Sequence, residues 1–412
     1  MQMEIWPYLA LLGGATGLIY IMPAVPKRWR LLAAIALALA ILCWAPFVLD
    51  GYRSSQMTRI VILAIALVGL NILTGYNGQI SLGHGAFMLL GMYTMAILLD
   101  RREQLGFIDA RPWPFWAALI VATGLSAIAG LCIGVPALRL SGPYLAIASL
   151  ALIIAFPPVV KKYEGLSGGV QGLRFPTPPP PEFLKGLIDK VDWLYFLALI
   201  SAVITVFLAW NLLRGTLGRA LVAVRDSEVA AAAMGVPVAR TKVTAFTISA
   251  FCAGAAGGLL ALVLGSVTPE TVTIVDSINL VVGIVIGGLA SILGSLLGAF
   301  AIVFIPSDAA DLIARIPGLG GGIVERAPGA IQGAVVMLVM ILMPFGVAGT
   351  LRRLAMMRPT QVAQSLRQLP AILALRAQTS LQRLSLAWDI RPWARRPPTN
   401  PHHGSQGGGG GD

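Results

Sequence analysis

Ten apolar stretches, at 9–22, 31–48, 60–76, 85–99, 113–135, 143–160, 193–213, 243–264, 278–305 and 330–347, follow one another along this chain with hardly a charge inside them. A helix needs roughly 20 apolar residues to cross about 30 Å of hydrocarbon. Hydrocarbon offers no partner to a free amide or carbonyl, so each stretch is expected to be helical. Composition agrees: 57% of the 412 residues are hydrophobic and 12% charged, against about 25% charged in soluble domains. The expected fold is an all-α polytopic membrane protein with about ten or eleven transmembrane or re-entrant helices. The opening "MQMEIWPYLA" has Glu4 and no base, so no cleaved leader is expected. Cys43, Cys132 and Cys252 lie within apolar runs and are expected as small buried hydrophobes, not as disulfide or metal partners.

Basic residues set the orientation. Lys27, Arg28 and Arg30 follow the first stretch, and Arg214, Arg219, Arg225, Arg240 and Lys242 follow the seventh. Residues 351–412 hold nine arginines and no lysine. These three regions are expected to share the cytoplasmic side, while 265–277, with Glu270 and Asp276 and no base, faces out. As one span, 278–305 would leave the Arg-rich tail outside. The turn-prone "GGLASILGSLLG", with Gly287, Gly288, Ser291, Gly294 and Gly298, instead divides it into two helices, 278–290 and 293–305, that fold back on each other. The net charge of +12 then belongs to loops facing anionic lipid and does not imply a nucleic-acid partner.

The chain divides into N-terminal membrane helices (1–59), a transmembrane domain (60–347) and a basic, partly disordered cytoplasmic tail (348–412). Within the second part, 161–192 is an external loop carrying "FPTPPPPEF", whose prolines favour extended polyproline geometry. It is either a stiff connector or a docking surface. Residues 214–242 form the longest inner loop, and Glu228–Met234 within it reads as a short Ala-rich helix capped by Ser227 and ended by Gly235. In the tail, Leu366, Leu369, Leu373, Leu381, Leu384 and Leu386 alternate with Arg367, Arg376 and Arg383, an amphipathic pattern suited to the membrane face. Glycine pairs such as Gly254 with Gly258 fit close helix packing.

Energy sources are missing. None of the six lysines follows a glycine, so there is no Gly-Lys-Ser/Thr phosphate cradle, and the apolar stretches lack the buried ionisable groups of ion-driven carriers. Nucleophile–base pairs and metal-ligand spacings are absent too. A transporter built this way takes its energy from a partner and binds no cofactor itself.

Between two apolar stretches sits "NGQISLGHG", Asn77–Gly85, with three glycines and one of only three histidines. Polar backbone at membrane depth is tolerated where it lines a cavity or is buried in protein. Asn77, Gln79, Ser81 and His84 therefore either line a translocation path or form a turn with satisfied polar groups. Both flanking stretches look short for full spans.

Five blocks, in order, resemble the inner-membrane permease subunits of branched-chain amino acid ABC importers: "LNILTGYNGQISLGHGAFMLLGMY", "LRLSGPYLAIASLAL", "EGLSGGVQGL", "GRALVAVRDSEVAAAAMGVPVARTKVTAFTISAFCAGAAGGL" and "INLVVGIVIGGLASILGSLLGA". The resemblance spans roughly 60–345. It implies a bacterial inner-membrane subunit paired with a second related permease, two cytoplasmic ATPase subunits that hold ATP and Mg, and a periplasmic binding protein. It also implies that Glu228, Ala230, Ala231 and Gly235 belong to the "EAA…G" element that docks on an ATPase. Permeases for urea, short amides or aromatic acids look alike within the family. A self-sufficient carrier or channel would need the intramembrane charges that this chain lacks.

Overall fold

In this computed structural model the described residues are 40–100, 113–182, 186, 188–314, 333 and 346–350, less 41, 49 and 141. The stretch 9–22, residues 31–39 and 41, most of 330–347 and the tail from 351 lie outside them. All described residues belong to one contact unit, Met1–Arg352. Their helices are α1 (Gly51–Asn71), α2 (His84–Leu99), α3 (Phe115–Ala137), α4 (Pro143–Lys162), α5 (Glu164–Ser167), α6 (Lys190–Arg214), α7 (Thr216–Asp226), α8 (Glu228–Ala233), α9 (Val238–Leu264), α10 (Ile274–Gly287) and α11 (Ile292–Ala314). Strands β1 (Leu173–Arg174) and β2 (Ser266–Val267) pair antiparallel.

Among the described residues, five helices are long and apolar enough to cross a membrane: α1 with its closing π-turn to Tyr76, α3, α4, α6 and α9. Hydropathy alone does not rank them, but burial does. The apolar window of α1 is 83% buried and that of α9 67%, against 17% for α4. Thus α1, α2 and α9 form the core, and Leu67, Leu70, Met88, Met92 and Phe246 are among its largest fully buried side chains. The outer helices turn Ile120, Ile128, Ile154, Ile204 and Phe207 outward, an apolar skin suited to lipid or another subunit.

The two ends of the bundle differ. At one end the β-ribbon joins the segment after α4 to the segment after α9, and Lys161 Nζ lies 2.8 Å from Glu270 Oε1. That ammonium holds the Glu270 carboxyl below the usual carboxylate range. The pair is solvent-exposed, so its contribution to stability is small. Ser54, near the start of α1, donates to Asp192 near the start of α6 (3.0 Å). At the opposite end lie α7 and α8, beside the close of α1. Residues 161–192 and 265–277 therefore share the ribbon end, and 214–242 occupies the other.

Helix boundaries depart from hydropathy where side chains cap or extend them. α1 starts at Gly51, nine residues before the apolar stretch, so with its π-turn it is 26 residues long and not a short segment. α10 starts at Ile274 because Thr273 and Asp276 form a reciprocal capping box, which satisfies two orphan amides at once. α11 continues to Ala314, past the expected end at 305. The cysteines are free, but only Cys252 is buried; Cys43 and Cys132 are exposed on the outer surface, contrary to the expectation.

α10 and α11 fold back on each other around Gly288–Ser291. A Cβ at Gly287 would overlap the Gly294 carbonyl, and one at Gly298 the Gly283 carbonyl, so the two backbones touch along antiparallel paths. At the tip, Ala290 has a left-handed φ of 56°, unfavourable for a residue with a Cβ. Asn71 of α1 holds that tip. Its Oδ1 accepts from Ala290 N (2.8 Å), and its Nδ2 donates to Ser291 O (2.8 Å) and Ser295 Oγ (2.9 Å). Asn71→Leu keeps the volume but strands buried amide and carbonyl groups, at about 1–3 kcal/mol each. It is expected to lower the melting temperature in detergent by several degrees, whereas Gly124→Ala, which meets nothing within 4 Å, leaves it unchanged.

Candidate functional site

The Asn77–Gly85 segment begins where α1 ends beside α7. After the π-turn, Asn77 N donates to Ile72 O (3.2 Å) and Gln79 N to Leu73 O (3.1 Å), while Thr74 Oγ1 donates to Gln79 O (3.0 Å). The chain thus doubles back on its own helix end. Gly78 sits at φ +77°, and a Cβ there would stand 2.9 Å from Arg225 Cγ; only glycine suits both the turn and the contact. From there the segment climbs into the bundle. Leu82 N donates to Ser149 Oγ of α4 (2.9 Å), and Gly85 N donates to Ser277 Oγ of α10 (3.0 Å). Three different helices therefore close the backbone groups that this break opens.

His84 and Ser81 are each only 1% exposed. His84 Nε2 lies 3.0 Å from the Ala66 carbonyl, which can only accept, so Nε2 carries the proton. Nδ1 then accepts from Ser249 Oγ at 3.3 Å. Both ring nitrogens are engaged, and the imidazole ties α2 to α1 and α9. His84→Leu removes both bonds and leaves the Ala66 carbonyl and Ser249 hydroxyl buried; a loss of about 1–3 kcal/mol per group is expected as a lower unfolding temperature in detergent.

Asn77 and Gln79 have a different environment. Asn77 is 3% exposed and Gln79 8%, yet both Asn77 amide atoms and Gln79 Oε1 meet no hydrogen-bond partner among the described residues. Both residues line a cavity of about 90 Å³, together with Arg225, Glu228 and Lys242. Of the four residues named from sequence, the structure puts Asn77 and Gln79 on a cavity wall, His84 in a helix junction, and Ser81 in a buried position between them. Arg225, Lys242 and Ser249 were not singled out for this region from sequence. A polar residue opposite a gap is legible only once helices are placed.

The loop helices close the other side of the cavity. Arg225 Nη1 donates to the Gly75 carbonyl (3.1 Å), and its Nη2 pairs with Asp226 (2.9 Å). Ser227 caps α8, accepting from Ala230 N (3.2 Å). At the other end Val236 N donates to Ala231 O and Gly235 N to Ala232 O, with Gly235 at φ +80°: a Schellman stop that needs glycine. Glu228 is ion-paired inside the chain, 2.6 Å from Lys242 Nζ, whose side chain is only 10% exposed. Ala231 packs inward, Ala230 and Gly235 are exposed, and Val229 and Met234 stand out at 82% and 85% exposure. Sequence reading missed α7 as a separate helix, although Leu221 and Val224, both buried, already lie at helical spacing. Gly287, Gly288, Ser291, Gly294 and Gly298 all lie in the α10–α11 hairpin. Its tip adjoins the α1 close, since a Cβ on Gly75 would run into Ala290 N.

Residues 52–344 match the family described as branched-chain amino acid transport system / permease component. The high-affinity branched-chain amino acid transport system permease protein LivM of Salmonella typhimurium is 34% identical over 298 residues, 66% of this chain and 67% of that protein. The Escherichia coli protein of the same name is 35% identical over the same coverage. No solved structure matches the chain. With apolar spans, a polar break at the foot of α1 and a capped loop helix beside it, the chain belongs to the permease family of branched-chain amino acid transport systems.

Proposed function

We propose that this chain is the membrane-spanning permease subunit of an ATP-driven importer for branched-chain or related amino acids. In this reading it sits in a bacterial inner membrane with a second related permease. An external binding protein delivers the substrate, and two cytoplasmic ATPase subunits, which hold the nucleotide and Mg, dock at α8. The transmembrane domain starts with α1 at Gly51, so the boundary expected at 60 moves to the start of that helix, and 348–412 form a cytoplasmic tail.

One observation carries the docking. α8 is stopped at both ends, braced at its foot by Glu228–Lys242, and leaves Val229 and Met234 almost bare. A short rigid helix with two exposed apolar knobs fits a groove on a soluble partner. The brace passes any displacement to the base of α9, and Arg225 passes it to the end of α1. Glu228 contributes by holding α8 in place through Lys242.

Reconstituted with its partners, the chain is expected to take up leucine only when the ATPase subunits and ATP are present; uptake without them sinks the reading. Met234→Asp and Val229→Asp touch no core residue. They are expected to leave insertion and melting unchanged while cutting ATPase co-purification and uptake at least about tenfold. Gly235→Val meets no neighbour within 4 Å, so its cost is the strained φ, about 1 kcal/mol, and it is expected to lower uptake by misdirecting α8. Normal uptake and complex yield in all three variants would return α8 to an ordinary connector. For the tail, a cysteine replacing Ser385 is expected to resist an impermeant thiol reagent in intact cells.

A further inference from the structure

The cavity at the foot of α1 has features that packing does not explain. Buried amides are normally hydrogen-bonded, yet Asn77 presents an unpaired donor and an unpaired acceptor, and Gln79 a second acceptor. The same wall holds one guanidinium, from Arg225, and one ammonium–carboxylate pair, from Lys242 and Glu228. Ile80, Leu140, Leu145 and Val224 supply apolar surface next to these polar groups. Residues that bear donors, acceptors and charges of both signs line the same space of about 90 Å³.

We propose that this cavity is an inner binding station for the charged head of an α-amino acid, reached from the α7–α8 end of the bundle. The inference rests on the importer reading and extends it to a specific place and chemistry. A carboxylate finds Arg225 and the Asn77 amide N–H. An α-ammonium finds Asn77 Oδ1, Gln79 Oε1 and Glu228. Charges of both signs disfavour a simple anion or cation, and the volume suits a head group, with an aliphatic side chain lying along Leu140, Leu145 and Ile80. Because Arg225 also holds Gly75 and Glu228 also braces α8, an occupant touches the two contacts that link the loop helices to α1 and α9. The station would thus report occupancy to the same lever that an ATPase moves.

The test uses the full-length chain in lipid nanodiscs, with radiolabelled L-leucine and no external binding protein. Saturable binding is expected, displaced by L-valine and L-isoleucine. Isoamylamine and 4-methylpentanoate, which each keep only one charge of the head, are expected to compete at least about tenfold less well. Asn77→Leu and Gln79→Met are each expected to weaken binding about tenfold or more. Gln79→Met removes one side-chain amide, of which Oε1 is unpaired, and so keeps the test decisive if Asn77→Leu unfolds. Absence of saturable binding to the unaltered chain, or equal binding by Gln79→Met and any folded Asn77→Leu, would mean that the cavity holds water only and would overturn the proposal. ATP-driven uptake by the assembled transporter is measured in parallel. Uptake without station binding overturns this inference alone, and station binding without uptake supports the station while removing the importer reading.

Discussion

A backbone amide without a partner costs several kcal/mol in hydrocarbon, and among the described residues two breaks in helical geometry, at Asn77–Gly83 and Gly288–Ser291, lie against the buried core. Both breaks are closed by short polar side chains sent from other helices. Asn71 answers the Ala290 amide and the Ser291 carbonyl at the α10–α11 tip. Ser149 and Ser277 answer Leu82 and Gly85 on the climb into α2, and His84 ties that junction to α1 and α9. Asn71, Ser149, Ser277 and His84 are each at most 2% exposed. The arrangement of the core follows from them: α1 must lie within reach of the hairpin tip, and α2 must start where α1, α4, α9 and α10 converge.

Close packing does the rest without directional bonds. Between helices in lipid there is no gain from hiding apolar surface, so contact area and backbone proximity decide. Small residues allow that proximity: a side chain on Gly257 would run into the Met88 carbonyl, and one on Gly91 into the backbone of Gly254. The same residues that look like weak helix formers in sequence are thus where α2 and α9 approach most closely. Their burial explains why a 16-residue helix such as α2, too short for a comfortable span, is stable at the centre.

Much of the fold was legible because hydrocarbon imposes it. The apolar stretches from 60 to 305 correspond to helices, and the break after Gly287 was readable from glycine spacing together with the charge of the tail. Helix starts were less legible, since Gly51 and Ile274 begin in polar sequence stabilised by tertiary contacts or a capping box, which hydropathy counts against a span. The candidate site was legible by segment but not by role. Asn77–Gly85 was marked as unusual, yet nothing in the sequence separates Asn77, with unpaired amide atoms, from His84, with both nitrogens bonded. That difference depends on which helix faces each residue. Glu228 shows the same limit, because its partner Lys242 is fourteen positions later, on the next helix.

The two ion-bearing contacts at the α7–α8 end divide the mechanical problem between them. Glu228–Lys242 joins α8 to the base of α9, and Arg225 joins α7 to the end of α1. α1 and α9 are the two most buried spans, so a push on α8 reaches the centre of the bundle without passing through the lipid-facing helices. α1 in turn holds the hairpin tip through Asn71, and α9 holds α2 through Ser249 and His84. Each inner break in the backbone is therefore one hydrogen-bonded step from α1 or α9. A rigid displacement at the loop can act on both polar breaks at once, the arrangement expected of discrete two-position elements in a packed interior.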